Sequence, residues 1–182
     1  GQLAVPTSMI FQHSRTLQNG ERLLFRCRPI DPYDAFRGRY VALGIEADEI
    51  DVEKTDFDPK NDRVREETKA YVTIIKDEKG FAQPVSVTFR KPSNEKLFIK
   101  ARAVYYYPSD KNKDRVKIVF PFDRYYMNEK QAPRAERAYR KSAENNSAHI
   151  AVRISKNGHA ALEELYIENV PVYEFLSKVN KA

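Results

Sequence analysis

The dipeptide Asn157-Gly158 sits between two apolar runs, "AHIAVRIS" at 148–155 and "AALEELYIE" at 160–168. Nothing else in the chain restricts its fold as tightly. A two-residue connection needs positive φ, which glycine supplies without steric penalty, and the strands it joins must pair antiparallel. Alternation of side chains then sends Ala148, Ile150, Val152 and Ile154 to one face.

The same pattern recurs along the chain. "ERLLFRC" alternates on Leu23, Phe25 and Cys27, and "RYVALGIE" on Val41, Leu43 and Ile45, with Tyr40, Ala42 and Gly44 opposite. The β-branched "AYVTIIK" leads through "DEKG" into "FAQPVSVTFR", a second hairpin with Gly80 at the positive-φ position. Pro84 marks an edge or a bulge in its second arm. "KLFIKARAVYYY" places Leu97, Ile99, Ala101, Ala103 and Tyr105 on one face, and "RVKIVFPF" adds Val116, Ile118 and Phe120. Helix is predicted in two places. "APRAERAYRKSAE" has Pro133 in its first turn and Ala135, Ala138, Tyr139 and Ser142 on one side, and "YEFLSKV" closes the chain. Residues 51–68 form the longest candidate loop. The expected fold is therefore mostly β: an antiparallel barrel or sandwich-like domain with one or two short helices, or an α+β arrangement.

Bulk properties set the limits of function. At 182 residues the chain suits one domain over residues 1–182 and is long enough to bury a core. No apolar run approaches bilayer length. Cys27 is alone, which excludes an intrachain disulfide and a cysteine-based zinc site, and its place in an alternating strand reads as a small buried hydrophobe. The 32 basic side chains outnumber the 26 acidic ones, for a net charge of +6. The two signs are interspersed, as in "DPKNDRVREETK", so the first reading is a solvated mixed-charge surface and nucleic acid is not the expected partner.

Known catalytic patterns are missing. His13, His149 and His159 are scattered, and there is no Gly-rich phosphate loop, G-x-S-x-G or H-E-x-x-H. No catalytic residue, metal or cofactor is expected, and enzymatic activity is not favoured. The one dense constellation is "DPYDAFRGRY". Pro32 fixes φ, Asp31 and Asp34 can accept backbone N–H bonds, and Gly38 allows a sharp entry into the strand. The preferred reading is a self-braced turn in which Asp31 or Asp34 pairs with Arg37, because structured loops satisfy their own charges first. The sharper reading is an anion-binding site built from Arg37 and Arg39 beside Tyr40. A second feature is aromatic: "VYYYP" and "FPFDRYYM" gather Tyr105, Tyr106, Tyr107, Phe120, Phe122, Tyr125 and Tyr126 near basic residues.

These residues resemble a known family. "PIDPYDAFRGRYVALGIE" is similar to the signature of the GDYXXLXY family, whose members usually read D-P-x-D-x-x-R-G-D-Y-x-x-L-x-Y. "VFPFDRYYMNEKQAPRAERAYRK" resembles its second segment, and "AHIAVRISKNGHAALEELYIENVPV" its closing hairpin, so the likeness runs from Val5 to Val172. Asp31, Pro32, Asp34, Arg37, Gly38, Tyr40 and Leu43 match as the structural motif, whereas Arg39 and Ile45 replace the family's Asp and Tyr. An Arg at the family's Asp position favours structure or binding over catalysis in this loop.

The resemblance implies an N-terminal membrane-spanning helix ahead of a domain of this size, facing the extracytoplasmic, periplasmic side. On that expectation the abrupt start "GQLAVP" follows a removed anchor. The leading functional expectation is an uncharacterised membrane-anchored module that binds or scaffolds in the cell envelope, with another membrane or envelope protein as partner. The alternatives are a hydrolytic enzyme acting on an anionic or peptide-like envelope substrate, and a single-stranded nucleic-acid-binding barrel. The last requires a contiguous basic-aromatic face. Oligomeric state is not legible.

Overall fold

The computed structural model describes residues 4–30, 39–53, 68–93, 96–107 and 113–179. In chain order the elements are α1 (Ala4–Asn19), β1 (Glu21–Arg28), β2 (Tyr40–Ala42), β3 (Gly44–Ile45), β4 (Glu49–Glu53), β5 (Thr68–Lys76), β6 (Ala82–Thr88) and β7 (Phe98–Tyr107). There follow β8 (Lys113–Val119), β9 (Arg124–Tyr126), α2 (Ala132–Glu144), β10 (Ala148–Ile154), β11 (Ala160–Ile167), β12 (Val170–Pro171) and α3 (Val172–Val179). The protein is mostly antiparallel β with short helices, as its alternation predicts. Two compact units divide it: Gly1–Leu23 with Ala47–Pro121 and Arg153–Ala161, and Leu24–Glu46 with Phe122–Val152 and Leu162–Ala182.

The first unit is built on a sheet of order β4-β8-β7-β5-β6, each strand antiparallel to its neighbour. Its end strands β4 and β6 come back against one another, so the sheet rolls into a nearly closed barrel. Inward positions carry Ile50, Ala70, Val72, Ile74, Val87, Ile99, Ala101, Ala103, Val116 and Ile118, all buried. Each fully buried branched side chain of this size contributes about 1.5–3 kcal/mol. β5 reads as a continuous buried run because Tyr71 and Thr73, on its other face, are covered as well. There Phe98 packs against Tyr71, with ring centroids 5.8 Å apart. Gly158 closes over Phe98, where a Cβ would stand 2.4 Å from its ring, and has φ +77°. The turn therefore requires glycine for conformation and for room.

Two bulges explain where simple alternation fails. One falls between Thr73 and Ile74, opposite Pro84, as an edge strand holding a proline predicts. The other falls between Ala103 and Tyr105, so Val104 is the extra residue. It reverses the expected facing of Tyr105, which is 62% exposed rather than part of the core with Ile99, Ala101 and Ala103.

A second sheet has the order β12-β11-β10-β1-β3, and β2 and β9 form a separate two-stranded ribbon. The run 40–46, expected as one strand, is two: Tyr40–Ala42 pairs with β9, and Gly44–Ile45 with β1. α2 buries Ala132, Ala135, Tyr139, Ser142 and Ala143, close to the face its spacing predicts, and Pro133 lies at its start. α3 begins at Val172, with Val172 and Leu176 buried. α1 is a helix that the sequence pattern does not announce, and its Met9, Ile10 and Phe11 are exposed. Of the expected loop at 51–68, residues 51–53 belong to β4 and residue 68 to β5, while 54–67 lie outside the described residues.

Candidate functional site

Five residues of the sequence motif, Asp31, Pro32, Asp34, Arg37 and Gly38, lie outside the described residues. Arg39, Tyr40 and Leu43 are described, and they converge on the β2-β9 ribbon. Tyr40 pairs with Tyr126, Val41 with Tyr125 and Ala42 with Arg124. Main-chain bonds clamp both ends: Met127 N–H donates to the Arg39 carbonyl (3.0 Å) and Leu43 N–H to the Asp123 carbonyl (2.9 Å). Val41 and Leu43 are buried and hold the ribbon to the unit's interior. By the two-residue period of a strand, Tyr40, Tyr126 and Arg124 share the opposite face.

That outer face is a ledge of rings and guanidinium. Tyr126 is 68% exposed. Its ring centroid lies 5.6 Å from that of Tyr40, and the Arg124 guanidinium lies 5.1 Å from the Tyr40 ring. A hydrogen bond with Tyr126, then the charge of Asp123, raises the proton affinity of Arg124 above the usual arginine range. Arg39 Nε donates to Glu129 Oε2 at 3.2 Å, with both side chains well exposed. Exposed cation–ring contacts contribute about 0.5–1 kcal/mol, and exposed ion pairs about 0–1 kcal/mol. Internal bonds this weak leave the ledge able to exchange them for contacts with a partner.

Beneath the ledge the polar groups are already committed. Tyr139 of α2 reaches the junction of β1 and β3, where its hydroxyl donates to the Arg28 carbonyl (2.7 Å) and accepts from Gly44 N–H (2.9 Å). Burial, then the neighbouring Cys27, pushes the Tyr139 hydroxyl well above the ordinary tyrosine range. A Cβ on Gly44 would stand 2.8 Å from the Arg28 carbonyl oxygen, so the bolt also depends on that glycine. Cys27 is buried and its thiol is pushed up to about 12, chiefly by burial. It is thus a packed hydrophobe rather than a nucleophile, as its strand position predicts.

On the inward side of β9, the half-buried Tyr125 donates to Glu164 Oε1 at 2.9 Å, and the same oxygen accepts Leu165 N–H at 2.9 Å. Burial first, and Glu164 second, raise the Tyr125 hydroxyl far above neutral, so it works as a donor and not as a base. Glu46, at the end of β3, is exposed. His149 stacks flat on Tyr166, 4.7 Å between centroids, while His159 lies beside Lys100. Among the described residues no group of His, Cys, Asp and Glu is arranged to hold a metal ion.

The conspicuous sequence motif contains Arg39 and Tyr40, whereas no local signal points to Arg124, Tyr139, Gly44 or Glu164 near them. The spacing of α2 did mark Tyr139 as inward-facing; what it could not mark was a partner 95 residues away. A family model described as GDYXXLXY protein matches residues 2–165 of the chain. No curated protein and no solved structure matches it.

Proposed function

The chain belongs to the GDYXXLXY family, and on that premise we propose that it is the extracytoplasmic domain of a membrane-anchored protein, serving as a binding or scaffolding module in the cell envelope. The observation that carries the binding role is the exposed Tyr40–Tyr126–Arg124 ledge, fixed in shape by its clamped ribbon. Exposed tyrosine and arginine on a rigid support are the side chains that dominate the energy of protein interfaces. A further support is that Tyr125 and Tyr139 spend their hydroxyls on Glu164 and on backbone groups, not on a reacting centre. The membrane anchor and the envelope setting rest on the family likeness, and the partner proposed is another membrane or envelope protein.

The test uses the full-length chain in cells, with a photo-crosslinking residue in place of Tyr126. The expected result is one discrete crosslinked envelope protein, lost when Arg124→Glu is added. Crosslinking that is diffuse and unaffected by Arg124→Glu would remove the ledge as the contact. Recovery of the full-length chain in the soluble cytoplasmic fraction would remove the envelope setting.

A further inference from the structure

The helix α1 stands clear of the unit that carries it. Every residue from Met9 to Arg15 is exposed, which covers about two turns. A helix resting on a protein body buries a side chain at every third or fourth position, but here burial begins only at Thr16. At that end the joint is tight. Thr16 Oγ1 donates to the Gln12 carbonyl (2.9 Å), Gly20 N–H to the Thr16 carbonyl (2.8 Å), and Arg153 Nη1 of β10 to the Gly20 carbonyl (3.3 Å). A Cβ on Gly20 would stand 2.9 Å from the Ile154 nitrogen, so the chain passes into β1 pressed against β10. α1 is a strut fixed at its C-terminal end.

A short helix without tertiary packing is marginal in water, so the free part of α1 calls for cover. Its side chains say of what kind. Met9, Ile10 and Phe11 are between 66% and 70% exposed. Three successive residues point across about 200° of a helix, too wide an arc for one flat partner or for a second copy laid alongside. A helix seated in a protein groove repeats its apolar anchors three and four positions on. Three and four positions after Met9, Ile10 and Phe11 stand Gln12, His13, Ser14 and Arg15, all polar. Polarity therefore changes along the axis and not around it. Residues 1–12 hold no charged side chain, and α1 holds no acid.

We propose that the apolar end of α1 stands upright in a lipid bilayer, with Met9, Ile10 and Phe11 at the boundary of the acyl region and His13 and Arg15 among the headgroups. The setting rests on the membrane-anchored reading; the insertion and its depth rest on α1 alone. A bilayer changes polarity along its normal, as this helix does along its axis, and it surrounds an inserted side chain on every side. Arg15 lies about 6 Å along the axis from Phe11, which lets its long side chain reach the headgroups. Gly20 lies about 13 Å from Phe11 along the chain's path, whereas a headgroup layer is roughly 5–8 Å thick. The strut therefore holds the first unit just clear of the surface.

The chain contains no tryptophan, so Phe11→Trp is a clean fluorescent reporter. With vesicles of phosphatidylglycerol and phosphatidylcholine its emission is expected to shift to the blue, and lipids brominated on their acyl chains should quench it. Gln18→Trp, about 10 Å further along the helix, should be quenched far less. Raising the salt should leave most of the binding in place, because apolar burial and not charge holds the helix. Ile10→Asp, at a position exposed in the fold, should weaken vesicle binding at least about tenfold. An unmoved reporter, equal quenching at positions 11 and 18, release by salt or an unaffected Ile10→Asp would each overturn the inference. So would a blue shift without lipid that grows with protein concentration, since a second copy would then be the cover. If the reporter stays in water while the full-length chain fractionates with membranes, this inference fails and the anchoring stands. If the reporter enters vesicles while the full-length chain is recovered as soluble cytoplasmic protein, the anchored reading fails and the insertion of α1 stands.

Discussion

Tyr139 and Tyr126 belong to the same compact unit and have opposite fates. Tyr139 is buried, its hydroxyl donating to one backbone group and accepting from another, so that it fastens β3 against β1. Tyr126 stands on the outside of a ribbon, in ring contact with Tyr40, with most of its surface in water. One tyrosine is fixed by its polar end and the other displays its ring. The difference teaches where function can reside in this protein. Polar groups that reach the interior are consumed in holding the fold, and what remains for recognition is aromatic and cationic surface on strands. Tyr106 sits between these extremes. It is half-buried at the end of β7 and donates to the buried carboxylate of Asp114, while its neighbours Tyr105 and Tyr107 point outward.

The comparison is broken first at its strongest point. Tyr139→Phe keeps the ring and removes the hydroxyl, leaving Gly44 N–H and the Arg28 carbonyl without their partner. A buried group stranded in this way costs about 1–3 kcal/mol. Chemical denaturation should show that loss with an unchanged slope. An unchanged midpoint would mean that the bolt is filled by water and that Tyr139 is only a packing ring.

A smaller effect sharpens the middle case. The Tyr106 hydroxyl is raised to about 12 from the ordinary 10.0, chiefly by burial and then by Asp114. A raised folded value means that the contribution is complete below the unfolded value and is lost as pH climbs through the folded one. Stability should therefore decline between about pH 10 and pH 12. Tyr106→Phe should make that decline shallower, read as melting temperature against pH, with the Cys27 thiol and the Tyr125 and Tyr139 hydroxyls carrying the remainder. A decline as steep in the variant as in the parent would show that other groups govern it.

Much of the scaffold is legible in the chain. Alternation gives the inward residues of β1, β7, β8 and β10, and Gly80 and Gly158 take the positive φ that their turns require. These features are local, set by side-chain period and backbone sterics. What alternation cannot give is decided over distance or by a single inserted residue. Val104 turns Tyr105 from core to surface, and no neighbouring residue type announces the bulge. The break at Leu43, which hands Tyr40 to β9 and Gly44 to β1, depends on which strands are available to pair. The ledge was half-legible for the same reason. Arg39 and Tyr40 stand in a conspicuous motif, but Arg124 and Tyr126 join them only through cross-strand register more than 80 residues along the chain.

The central claim is that the ledge is surplus to the fold. Thermal unfolding of Tyr126→Ala beside the parent tests it most directly. An exposed residue outside any buried network changes stability by no more than about 0.5 kcal/mol, so the account predicts superimposable transitions. A fall as large as that of Tyr139→Phe would contradict it, by placing Tyr126 among the groups that hold the protein together.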